Sequence, residues 1–166
     1  MIALRMIMYT ALIGYLLRQA VMDAKTGCVV KIYNNVALAI SFTVMIVSLW
    51  MTREQAVFLL GEIILVYVSV WFISSDVVPK WLKIMQKADA KAFASIYSSS
   101  YFIFGSAYAV KILCFSALFA NLSFMVWYHL IKKEKVQMVS DVHKPYFPFI
   151  LFGYVITTAV YVVLMM

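Results

Sequence analysis

Apolar runs of about membrane-spanning length recur along the whole chain, and they decide what it can fold into. Residues 2–22, 36–51, 56–73 and 145–166 each form such a run. The stretch 92–131 is too long for one helix and too apolar for a loop. Cut near Phe104-Gly105-Ser106, it supplies two more. A helix needs roughly 20 apolar residues to cross a bilayer. Between the runs little remains, and 66% of the 166 residues are hydrophobic while 13% are charged. A soluble domain cannot hide that much apolar surface. The expected architecture is an all-α, polytopic membrane helix bundle of about six transmembrane helices. It forms a single domain over 1–166. The first run lacks a small-residue cleavage site and reads as a retained helix rather than a signal peptide.

The polar segments between the runs set the orientation. The segments at 23–35, 74–91 and 132–144, with Arg18, carry eleven of the 14 Lys and Arg; Arg5, Arg53 and Lys111 lie on the other side. The positive-inside rule then places these segments in the cytoplasm and both termini outside, in a cytoplasmic (inner) membrane. The net charge of +7 is therefore a feature of topology and not a nucleic-acid footprint. Cys28 and Cys114 are far apart and form no C-x-x-C pair, which argues against a structural disulfide or zinc site.

Acids near membrane helices are expensive to keep and mark functional positions. Asp23 follows the first run, and Asp89 lies in Gln86-Lys87-Ala88-Asp89-Ala90-Lys91-Ala92-Phe93 before the fourth. Two spans separate them, so both face the same side. If residues 78–91 are helical, Lys80, Lys83, Lys87 and Lys91 form one stripe, suited to anionic headgroups. Asp89 falls on the opposite face with Val78, Leu82 and Met85. Two facing carboxyls cannot both ionise, so one keeps its proton while the other acts as base. Such a pair can activate water against a peptide bond; equally, intramembrane acids can pass ions. Glu62 is a lone acid in the third run, expected toward the bundle interior. Lys25 and Lys91, each two residues past an Asp, either favour an ionised carboxylate or simply belong to a basic face. No His is placed to activate Ser95, Ser98, Ser99 or Ser100, which read as helix-packing residues.

Asp23-Ala24-Lys25-Thr26-Gly27, then Ala88-Asp89-Ala90-Lys91-Ala92, then Lys144-Pro145-Tyr146-Phe147-Pro148-Phe149 resemble, in order and loop placement, the motifs of type IV prepilin peptidases, the GxGD-type membrane aspartic proteases. The resemblance implies an aspartic endopeptidase with catalytic Asp23 and Asp89. Lys25, Lys91 and Glu62 would support the pair or touch substrate, and neither metal nor other cofactor is implied. Its partners would be type IV pilin-like precursors and a bilayer with anionic headgroups. Gln86 and Ala88 stand where the family has glycines, and no paired C-x-x-C domain is present, as in short peptidase-only members. Two alternatives stand beside this reading. One is an ion- or proton-coupled carrier using Asp23, Asp89 and Glu62; the other is an inactive relative acting as an assembly factor.

Overall fold

A computed structural model describes residues 2–52, 56–74, 87–132 and 144–165. The chain forms α1 (Ile2–Thr26), α2 (Lys31–Thr52), α3 (Ala56–Ser74), α4 (Lys87–Phe104), α5 (Ser106–Met125) and α6 (Phe147–Met165). A π-helical segment, Val126–Ile131, continues α5. Among the described residues there is no strand. The expected all-α bundle is what the chain forms.

Helix α4 is the axis. It packs against each of the other five helices, and 14 of its 18 residues are buried. It is also polar for a central helix, carrying Ser95, Ser98, Ser99 and Ser100, all fully buried. The hydroxyls of Ser95, Ser98 and Ser99 are absorbed locally. Ser95 and Ser98 donate to the carbonyls of Lys91 and Ala94, Ser98 also bonds the Tyr67 hydroxyl, and Ser99 donates to Ser41. Small residues let neighbouring backbones approach, and hydroxyls that bond inward need no water. The outer helices are inverted. Trp50, Ile64, Leu65, Trp71, Val163 and Leu164 are each at least 60% exposed. An apolar exterior around a polar axis is stable where the solvent is lipid.

Three helical stretches are long and apolar enough to cross a membrane: Lys31–Trp50, Ser106–Ile131 and Phe147–Leu164. The chain is a membrane protein. The other helices do not meet that length and apolarity, which qualifies the expectation of six spans. In α1 the polar residues Arg5, Arg18 and Asp23 lower the apolar content. In α4 the serines do so, and burial by five neighbours relieves that helix of the need to be apolar.

Two boundaries differ from expectation. The segment after the first apolar run is not a loop from residue 23: α1 continues to Thr26, and α2 already begins at Lys31. Polar composition does not itself stop a helix. What stops α1 is Gly27, at φ 63°, whose N–H closes on the Asp23 carbonyl at 2.8 Å. Likewise α4 starts at Lys87, so Asp89 lies inside the helix, in its first turn. The expected break at Gly105 is present. Its φ of 94° and ψ of 167° form a conformation open to glycine alone, and it separates α4 from α5 in one residue.

The tightest helix contact lies between α5 and α6. A Cβ on Gly153 would land on the Ser116 carbonyl and 2.8 Å from the Ala120 nitrogen. Gly153→Ala is therefore expected to force the two helices apart and lower stability by about 1–3 kcal/mol. Gly61, where an added Cβ meets nothing within 4 Å, supplies the contrast. Gly61→Ala should be neutral or stabilising by roughly 0.5–1 kcal/mol through helix propensity. Thermal unfolding in detergent reads both, and equal melting temperatures for the two variants would refute the close-packing account.

Candidate functional site

Asp23 occupies the last turn of α1, just beyond the apolar run, and is 7% exposed. Its carboxylate reaches the other end of the chain. The backbone N–H groups of Tyr146 and Phe147 donate to its Oδ2 at 2.7 and 2.9 Å. These donors sit at the start of α6, where helix geometry leaves N–H groups without partners. Pro148 has no N–H, and Phe149 N–H already bonds the Tyr146 carbonyl at 3.0 Å. The two leading N–H groups that remain both go to Asp23. A carboxylate there also meets the positive end of the helix dipole. Burial pushes the Asp23 carboxyl above the usual aspartate range, while the N–H groups of Phe147 and then Tyr146 pull the other way.

The four residues that join α1 to α2 are stapled from below. Gln19, fully buried, donates to the Val30 carbonyl at 3.0 Å and accepts from the Val30 N–H at 3.2 Å. It also donates to Asn34 Oδ1 at 2.6 Å, which takes a second bond from the Tyr15 hydroxyl at 2.8 Å. The α6 entry is held as firmly. The Tyr146 hydroxyl donates to Asn121 Oδ1 at 2.8 Å. Phe124 packs edge-on to Tyr146 and Phe149, with ring centroids 5.3 Å apart in each pair.

Asp89 is 5% exposed and belongs to the same neighbourhood. Its charge acts on both Tyr15 and Tyr146. Burial first, and the Asp89 charge second, push the Tyr146 phenol above its ordinary range. Tyr146 thus bonds Asp23 through its backbone and feels the field of Asp89 at its ring. The three motif stretches meet at one end of the bundle, and a further link is Lys91 Nζ, which donates to Asn35 Oδ1 at 2.5 Å.

The remaining expected site residues separate. Lys25 is exposed, and Lys91 is half-buried against Asn35. Glu62 is half-buried in α3 and accepts from the Tyr97 hydroxyl at 3.0 Å. Tyr97 lies eight residues beyond Asp89, about 12 Å along α4 at 1.5 Å per residue, so Glu62 is anchored deeper in the bundle. Val78, Lys80, Leu82, Lys83 and Met85, and with them half of the lysine stripe, lie outside the described residues; Lys87 is exposed. Gln19, Asn34, Asn121 and the role of Tyr146 at Asp23 were not singled out from the sequence. Only the Lys144–Phe149 motif carried a signal, and it pointed to a helix entry rather than to a carboxylate partner.

Comparison with protein-family models, with curated proteins and with solved structures gives no match.

The geometry separates two substitutions at position 23. Asp23→Ala leaves two buried N–H groups without an acceptor and should lower stability by about 2–4 kcal/mol. Asp23→Asn keeps an acceptor oxygen and should cost less than half of that. Hydrogen exchange at the Tyr146 and Phe147 amides, beside a detergent melt, distinguishes the cases. Unaltered protection in Asp23→Ala would show that the carboxylate does not hold α6.

Proposed function

We propose that this protein is a membrane-embedded aspartic endopeptidase that removes the leader of type IV pilin-like precursors at the cytoplasmic face. The observation that carries the reading is the convergence of Asp23 and Asp89, both buried, on Tyr146 at the entry to α6. The motif resemblance supplies the substrate class. In this reading one carboxyl of the pair is ionised and takes a proton from water. The other, protonated, donates to the departing amine, and the carboxyls exchange roles as the peptide bond breaks. The apparent titrations belong to the pair, so neither residue is given a fixed role. The protein sits in the inner membrane with the aspartates toward the cytoplasm and both termini outside.

One observation favours a second reading. Asp23 Oδ2 is committed to holding α6, a structural task that an inactive relative serving as assembly factor would also retain. A carrier reading would need Glu62 to work with the aspartates, and Glu62 is held by Tyr97.

Incubating the purified protein with a pilin-like precursor in detergent separates these readings, because a peptidase alone shortens the precursor. Asp23→Asn and Asp89→Asn should each abolish cleavage, by roughly 10³-fold or more, while both proteins stay folded. Near-normal turnover by either variant would sink the assignment. Activity should fall on the acid side with a midpoint above the usual aspartate range, since the raised Asp23 carboxyl loses its ionised form earlier as pH drops. A midpoint at or below the ordinary value would argue that Asp23 is not the buried base.

Topology has its own test. In a Cys28→Ser, Cys114→Ser background, Arg53→Cys and Met166→Cys should react with an impermeant thiol reagent from outside. Lys83→Cys and Lys133→Cys should be protected, and the reverse pattern would invert the orientation.

A further inference from the structure

Helices α1 and α2 both lie on α4 but make little contact with each other. The gap between them is a groove of about 350 Å³, walled by Met8, Gly14 and Arg18 on one side and Tyr33 and Ile40 on the other, with Ser99 of α4 at its floor. Along α1 it runs from Arg18 to Met8, about 15 Å at 1.5 Å per residue. The lining is overwhelmingly apolar and contains no acid. At its mouth stands Arg18, exposed, with its guanidinium 4.0 Å over the Tyr33 ring and one N–H donated to the Tyr33 hydroxyl at 2.6 Å.

We propose that this groove binds one anionic diacyl phospholipid, an acyl chain lying between α1 and α2 and the phosphate on Arg18. The shape selects the tail. A helix is 10–12 Å across and would fill well over 1,000 Å³ in a 15 Å stretch, more than the roughly 850 Å³ of empty space in the groove. A single extended hydrocarbon chain fits a bore of this size. Charge selects the head. A guanidinium offers five donors in a planar fork suited to phosphate oxygens. Stacking on Tyr33 fixes that plane at the end of the groove nearest Asp23, where the apolar run gives way to polar chain. Lys25 and Lys31, both exposed at the same end, add positive charge around the head. The proposal does not depend on the peptidase reading, since it uses neither aspartate.

The groove supplies its own control. An added Cβ at Gly14 meets nothing within 4 Å, so Gly14→Leu starts in open space, narrows the channel and improves the helix. The full-length protein, stripped of lipid in mild detergent, is titrated with phosphatidylglycerol, with diacylglycerol of the same chains and with glycerol phosphate. Bound species are read by native mass spectrometry. One phosphatidylglycerol per chain should be retained, while diacylglycerol and glycerol phosphate bind at least tenfold more weakly. Arg18→Gln should weaken phosphatidylglycerol roughly tenfold or more, as expected for a lost charge-assisted contact, and Arg18→Lys should restore part of it. Gly14→Leu should weaken it comparably with no fall in melting temperature. Equal binding of glycerol phosphate would mark a simple anion site, and equal binding of diacylglycerol a non-specific apolar surface; either overturns the proposal. So would phosphatidylglycerol retention unchanged in both Arg18→Gln and Gly14→Leu. Crosslinking from Ala37 that captures a second copy or a peptide helix instead of lipid overturns it too.

Discussion

A buried carboxylate holding the first turn of a distant helix is the constraint on which this bundle depends. Residues 23 and 146 are 123 positions apart, and the bond between them ties the end of α1 to the start of α6. Without it, α6 would present two N–H groups to a dry interior, where each unmet donor costs about 1–3 kcal/mol. With it, α6 is fixed in height and rotation. That position in turn lets Gly153 meet α5 and lets Phe149 meet Phe124. The α5–α6 pair then closes one side of α4. A charge in a membrane protein is commonly a burden to be offset; here it sets the register of the helices.

The second organising fact is the inversion around α4. In water, burial of apolar groups would drive the most hydrophobic helix to the centre. In lipid that driving force between helices is absent, and packing with internal hydrogen bonds decides who sits inside. The serine-rich α4 is therefore central and the Val-, Ile- and Trp-rich faces of α2, α3 and α6 point outward. Its polarity also gives Asp89 a tolerable setting. A carboxylate in the first turn of a helix is favoured by the dipole, and the adjacent Ala90 and Ala92 allow neighbours to close over it.

Much of this was legible in the sequence. The apolar runs located the helices, Gly105 located the break in the 92–131 stretch, and counting spans placed Asp23 and Asp89 at one end. Those signals are local or additive. What escaped was long-range and specific. Nothing near Asp23 announces that its partner is a pair of backbone amides at Tyr146 and Phe147, because backbone donors leave no trace in residue identity. Gln19 escaped for a related reason: an amide inside an apolar run reads as a blemish until the loop it staples is in view, and Asn34 read as one more polar residue of the 23–35 segment. The extent of α1 was misjudged because polar residues were read as loop, when the terminating feature is the left-handed Gly27.

A carboxylate that caps a helix and one that activates water are usually different residues; in the proposed reading Asp23 serves both ends. Both N–H groups converge on Oδ2, so the cap is built on a single oxygen. Oδ1 takes no part in that bond pair. Holding Oδ2 fixes the plane of the carboxylate, which is what a base aimed at a water molecule requires. It also biases charge: two N–H donors and a helix dipole favour the ionised form against the desolvation that opposes it. The charge of Asp89 acts on the ring of the same Tyr146. The residue that links the two acids therefore stands at the entry to α6, an element that carries neither aspartate.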